Sequence, residues 1–192
     1  MDAWFDPLRV GPVTYAGRPF AQTDGTTCGT TAILLARVLA DPEYARELTS
    51  GGGPEAFGQR LVTEQLRVRH RTNTVWPRAL GTTPWGVRRG LAEETGDRYV
   101  VRWTIRTGRR ARARTVDRVL AAVDAGRPVP LLVGNLYPAH YLLVVAHRDD
   151  RVLIYNPAGG RVAGLRVDEL RGGRLAGVTA FRCLFAVLLP AG

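Results

Sequence analysis

The stretch QTDGTTCGTTAILLARVL, Gln22 to Leu39, puts a cysteine where a glycine- and threonine-rich turn becomes an apolar run. Ile33, Leu34, Leu35, Val38 and Leu39 leave that run almost no polar face, so it reads as a helix buried all round that begins near Cys28 and is stopped by Asp41-Pro42. A cysteine that only packs belongs inside such a run. At its mouth it meets unpaired backbone N–H groups and the positive end of the helix dipole, which favour a thiolate and raise reactivity at neutral pH. Gly25 and Gly29, on either side of Cys28, leave room for a substrate backbone. Alone, the segment also fits a capping or core cysteine.

The rest of the chain bounds what that cysteine can do. The 192 residues suffice for one domain with a real core, and 45% hydrophobic with 23% charged residues is ordinary for a globular protein. No apolar stretch approaches a membrane span, and MDAWFDPLRVGPVTY lacks a basic segment followed by an apolar one, so the expected compartment is the cytoplasm. Two cysteines, Cys28 and Cys183, make neither a disulfide framework nor a four-cysteine zinc site, and three scattered histidines add no metal site. No metal or cofactor is expected. The net charge is +10, and all 27 basic residues are arginine, the mark of a GC-rich coding sequence more than of nucleic-acid binding. Arg102, Arg106, Arg109, Arg110, Arg112, Arg114 and Arg118 cluster around RTGRRARART, which reads as an exposed strand-to-helix loop. Cys183, in FRCLFAVLL, reads as a core residue.

Periodicity predicts further helices over 54–69, with Phe57, Leu61, Val62 and Leu66 inward, from Thr83-Pro84 to Gly96, and over 115–125 with Gly126 at its C′ position. Beyond them VPLLVGNL, HYLLVVAH, RVLIYN and VTAFRCLFAVLL are short apolar runs parted by turn residues, hence strands, and YVVRWTI (Tyr99 to Ile105) adds an edge strand. Helices followed by an antiparallel sheet define an α+β class. One domain over 1–192 is expected, with a helical half at about 18–96 and a sheet half at about 97–190.

A cysteine nucleophile needs a base, usually histidine. His140 opens HYLLVVAH, RDDR turns, and RVLIYNP returns. Counted from a turn centred at Arg148, His140 and Asn156 are equidistant. A direct antiparallel register would then place them opposite each other, about 5 Å apart. A one-residue slip would put them on opposite faces. The asparagine oxygen would accept the imidazole N–H and fix ring and tautomer. His70 lies in an arginine-rich stretch that reads as surface, and His147 sits beside the turn. Gln22 precedes Cys28 by six residues; its amide and the Cys28 backbone N–H are the candidate oxyanion donors.

These residues carry a family resemblance. QTDGTTCGTTA is similar to the active-site segment of papain-like cysteine peptidases, a glutamine with five residues between it and a cysteine at a helix start. HYLLVVAHRDDRVLIYNPAGG resembles the paired His and Asp/Asn-Pro strands of the C39-like group, which includes the bacteriocin-leader peptidases. TTPWGVRRGL and AAVDAGRPVPLLV match the helix and strand between the two halves of the site. The resemblance covers about residues 18 to 170. It implies a papain-like fold and a cysteine peptidase with Cys28 as nucleophile, His140 as base and acid, Asn156 as orienter and Gln22 in the oxyanion hole. Gly25, Gly29 and Ala139 would border the substrate, a peptide or protein. Leader peptidases usually carry aspartate at the position of Asn156 and are commonly fused to a membrane transporter, which this sequence does not contain. A cysteine-dependent acyltransferase of transglutaminase type is the alternative chemistry, and an inactive binding module on the same fold is the alternative class. Neither a membrane nor a nucleic-acid partner is expected.

Overall fold

Seven antiparallel strands form one sheet, and it divides the protein's apolar residues into two cores. The structure, a computed structural model, describes residues 4–73 and 81–191; residues 1–3, 74–80 and 192 of the expected 1–192 domain lie outside the described residues. In chain order the sheet strands are β1 (Gly11–Pro12), β4 (Tyr99–Trp103), β5 (Val129–Gly134), β6 (Pro138–Arg148), β7 (Arg151–Asn156), β8 (Arg161–Arg166) and β9 (Cys183–Pro190), and they lie in the order β1-β8-β7-β6-β5-β9-β4. A separate two-stranded ribbon joins β2 (Thr14–Tyr15) to β3 (Arg18–Pro19). Strand alternation sorts the side chains: Tyr141, Leu143, Leu153 and Tyr155 enter one core, and Leu142, Val144, Val152 and Ile154 the other.

The first core is roofed by the N-terminal helices α1 (Cys28–Ala40), α2 (Pro42–Thr49), α3 (Pro54–Thr72) and α4 (Pro84–Thr95). Helix α1 is buried on every side, as its composition requires, with Ile33, Leu34, Leu35 and Ala36 fully enclosed. Asp41-Pro42 does stop it, but also starts α2: Asp41 Oδ1 accepts from Glu43 N and Tyr44 N, with proline at the first helical position. Helix α4 begins at the Thr83 cap, whose hydroxyl accepts from Gly86 N, and ends at Gly96 in the left-handed region. This helical layer against an antiparallel sheet is the α+β arrangement expected of a papain-like fold.

Three expectations are corrected. In α3 the inward face is Phe57, Leu61, Gln65 and Val68, while Val62 and Leu66 are exposed; a polar glutamine turns inward because the turn before Cys28 needs its hydrogen bonds. RTGRRARART is not a loop. From Arg109 onward it is the first part of α5 (Arg109–Asp124), which together with α6 (Val167–Arg171) covers the second core on the far side of the sheet. Cys183 is half-buried at the start of β9 and a free thiol. Among the described residues, no helix is long and apolar enough to cross a membrane.

Candidate active site

Cys28 is the first residue of α1 and is 4% exposed. The preceding Thr27 does not cap the helix with its side chain. Its hydroxyl turns back and accepts from Thr23 N and Asp24 N, closing the turn. The helix N–H groups are therefore left to other acceptors, and those of Cys28 and Gly29, with that of Tyr141, point at the thiol and favour its anion. Burial outweighs them: desolvation is the largest influence and pushes the Cys28 thiol up from its ordinary value. Burial therefore works against the thiolate that a helix terminus alone would favour. A thiol so enclosed loses more by leaving water than a few N–H dipoles return.

The turn is braced from α3. Gln65, fully buried, accepts from Thr23 N and Thr23 Oγ1 and donates Nε2–H to Ala21 O at 2.8 Å. Arg69 Nη1 reaches Asp24 Oδ2 at 3.2 Å, while Asp24 Oδ1 accepts from Thr26 N and Oγ1. The sequence trace of these braces is Gln65 and Arg69 interrupting the apolar spacing of α3.

His140 and Asn156 meet, but not by the expected register. The hairpin turn is Asp149-Asp150, with Arg148 paired to Arg151, and β6 carries a bulge at Val145 between the pairs Val144–Ile154 and Ala146–Leu153. Beyond the bulge the ladder runs Val144–Ile154, Leu143–Tyr155, which puts Leu142 opposite Asn156 and His140 one diagonal step further. Without the extra residue His140 would face the other side. With it, His140 Nε2 lies 2.9 Å from Asn156 Oδ1.

The amide orientation sets the tautomer. Asn156 Nδ2 donates to Val178 O at 3.0 Å, and Oδ1 also accepts from Ala158 N at 3.1 Å, so Oδ1 is an acceptor and His140 Nε2 must carry the proton. The lone pair is then on Nδ1, which makes no hydrogen bond among the described residues. Phe181 stacks on the ring, centroids 5.7 Å apart. Desolvation lowers the His140 pKa, and the Asn156 bond partly opposes it. Cys28 lies in the core on the face of β6 that carries Tyr141 and Leu143, and His140 is on the alternate face, at the end of β6 that continues beyond its pairing with β7. Pairing with β7 stops at Leu143, and the N–H of Tyr141, next to His140, is directed at the Cys28 sulfur.

Two contacts lace the halves together. Tyr155 OH donates to Phe20 O, and Gln22 N donates to Pro157 O at 3.0 Å, so the residues flanking Asn156 hold the chain entering the cysteine turn. Gly160 permits this approach: its φ is +56°, and a Cβ there would lie 2.9 Å from Phe20 O. Gln22 Nε2 gives one proton to Asp24 O at 2.8 Å, keeping the second, and its Oε1 is buried without a partner among the described residues.

A cleft of about 280 Å³ opens beside Cys28, bounded by Thr82, Trp85, Trp103, Leu132, Ala139 and Tyr141 among others. Ala139 is exposed on its rim, and Gly25 is exposed with open space around it. Gly29 is corrected. It is buried, and a Cβ would stand 3.1 Å from Thr82 Cβ and from Val87 Cγ2, so its role is close packing of α1, not substrate approach. His147 is bound to Asp124 at 3.0 Å and to Asp149 O, away from this cleft. Among the described residues, no group of side chains could hold a metal ion.

No family model matches the chain, and no curated protein does. Among solved structures it is similar to the peptidase domain of Streptococcus ComA, described as a bi-functional ABC transporter involved in a quorum-sensing pathway, at 18% identity over 91% of this chain and 98% of that one, with a TM-score of 0.46. It is also similar to the peptidase domain of Streptococcus mutans ComA (14%, 91% and 99%, 0.44), and to a double-glycine-motif protease from an AMS/PCAT transporter in complex with the leader peptide (12%, 89% and 89%, 0.45).

Proposed function

We propose that the protein is a cysteine peptidase acting on a peptide or isopeptide bond. The observation that carries the reading is the His140–Asn156 bond, which leaves Nδ1 unprotonated on the residue next in the chain to Tyr141, whose N–H reaches the Cys28 sulfur. Burial favours the neutral form of both groups, raising the pKa of one and lowering that of the other. His140 Nδ1 takes the Sγ proton as the sulfur attacks the substrate carbonyl carbon. The negative oxygen is met by the Cys28 N–H and the second Gln22 Nε2 proton. The imidazolium, steadied by Asn156, returns its proton to the leaving amine, and water delivered through the same base releases the acyl group. Peptide enters over Ala139 and Gly25, and a reducing compartment such as the cytoplasm keeps the thiol free.

Peptide-library cleavage read by mass spectrometry tests this. Products should form with the wild type and vanish in Cys28→Ala and His140→Ala; cleavage surviving in Cys28→Ala overturns the mechanism. An added amine that appears in the product marks acyl transfer instead of hydrolysis. The burial of Cys28 favours a second reading, a peptide-binding module without turnover, for which peptides would bind equally to wild type and Cys28→Ala and remain intact.

A further inference from the structure

The seam between α5 and the β4–β9 edge of the sheet holds a groove of about 420 Å³ that shares no lining residue with the cleft beside Cys28. Its walls carry Arg102 from β4, Arg118 from α5 and Arg127 just after α5; its floor is Val100, Ala122 and Leu189. No acidic residue lines it. Among the described residues, none of the three guanidinium groups makes an ion pair or a side-chain hydrogen bond. Both acids of α5 are engaged elsewhere: Asp117 lies 2.6 Å from Arg171 and Asp124 3.0 Å from His147. Other charged grooves neutralise themselves: Arg37, Arg60 and Arg67 share a wall with Glu47 and Glu64, and Arg166 and Arg171 with Asp149, Asp150 and Asp168.

We infer that this groove binds a phosphate monoester bearing a short apolar group. Three unpaired guanidiniums suit a dianionic head better than a single carboxylate, because each fork presents paired donors to phosphate oxygens. The apolar floor would cover the body of the ligand, and a groove of this size holds a small organic molecule. A nucleic-acid strand would ask for stacking platforms, and no aromatic side chain lines the groove. A flat membrane would leave the recessed floor unused.

Calorimetric titration of the full chain with monomeric n-octyl phosphate tests the inference. The expected result is one site, bound more weakly by inorganic phosphate, which lacks the apolar body, and by octanoate, which lacks the second charge. Each of Arg102→Gln, Arg118→Gln and Arg127→Gln should weaken octyl phosphate by about tenfold, the worth of one charge-assisted hydrogen bond. Ala121→Glu, which sets a carboxylate on the exposed wall, should do the same, and Arg166→Gln should change nothing. Absence of octyl phosphate binding overturns the inference, as does equal binding by the triple arginine variant. Binding confined to vesicles of phosphatidylcholine with phosphatidic acid, without binding of the monomer, also overturns it, in favour of a membrane surface.

Discussion

Replacing Asn156 tests the reading at the atom on which it rests. The side chain makes three hydrogen bonds: Oδ1 accepts from His140 Nε2 and Ala158 N, and Nδ2 donates to Val178 O. Asn156→Ala removes all three, and at about 0.5–1.5 kcal/mol net each the loss of stability should be roughly 2–4 kcal/mol. Asn156→Asp keeps both acceptor roles but sets a carboxylate oxygen against Val178 O. Leaving that carbonyl unpaired should cost about 1–3 kcal/mol, so aspartate is not a free exchange here. Activity separates the two variants. In the proposed mechanism His140 becomes positive during turnover, and a hydrogen bond to a charged group is worth about 1.5–3 kcal/mol, so Asn156→Ala should lower kcat/KM about ten- to a hundredfold. Asn156→Asp should retain most activity at neutral pH. The sign of its pH effect follows from the ring: burial now favours neutral His140, whereas a carboxylate favours the imidazolium. The wild-type acid limb should therefore lie below pH 6.5, the ordinary histidine value, and the Asp variant's limb should move upward. Urea melts with kcat/KM profiles from acid to alkaline pH measure both effects. An alanine variant with wild-type kcat/KM would remove Asn156 from the site, and an aspartate variant with an unmoved acid limb would refute the contact.

Alkylation of Cys28 by iodoacetamide should keep accelerating as pH rises through 9.0, the unshifted thiol value, because burial holds the thiol above it; a plateau reached already at pH 5, followed by mass spectrometry, would instead show a preformed ion pair. Gln65→Leu should cost roughly 2–4 kcal/mol in a urea melt and lower kcat more than it raises KM, since its bonds to Ala21 and Thr23 shape the turn before Cys28. Glu94, whose side chain is 4% exposed between Arg37 and Arg67, is held below its ordinary pKa by those guanidiniums against desolvation. Its stabilisation is complete above pH 4.5 and is lost as pH falls through the lowered value, and Glu94→Gln should destabilise by about 3–5 kcal/mol near neutrality, read as a fall in melting temperature. Gly134→Ala should abolish folding or activity, judged by circular dichroism and peptide cleavage, because its Cβ would overlap the carbonyl oxygen of Tyr137 in the turn that delivers His140.

Much of the fold was legible because local chemistry and burial agree. Thr83-Pro84 and Gly96 bracket α4 by the same caps that their identities suggest, and the unbroken apolar run of α1 is enclosed on every side. Legibility failed where one signal served two purposes. Asp41-Pro42 breaks one helix and starts another, since a proline that cannot continue a helix is well placed at a first turn. The arginine-rich start of α5 lacks apolar periodicity because this end of the helix is largely solvated, so the helix is invisible there to a hydrophobic pattern. Strand β8, RVAGLR, is short and glycine-containing, and is recognisable only by its pairing with β7.

The site divides along the same line. Cys28 at a helix mouth and His140 and Asn156 on neighbouring strands could be read from spacing, because chain direction and strand alternation are local properties. Register could not. The bulge at Val145 has no sequence mark in a run of apolar residues, yet it decides on which face His140 emerges. Protonation was equally out of reach. The helix terminus argues for a thiolate, but the roof over Cys28 is assembled from α4, β5 and β6, residues more than fifty positions away, and their collective desolvation reverses the sign. Burial favours the neutral form of both Cys28 and His140, so in the proposed mechanism the proton would move during attack, and the bonds that fix the His140 ring would matter more than the acidity of the thiol. Asn156 is in turn fixed by Val178 O and Ala158 N, while its neighbours Tyr155 and Pro157 hold the chain entering the cysteine turn. The segment that orients His140 is thus the one that anchors the loop before Cys28, and a displacement of the end of β7 would disturb both residues together.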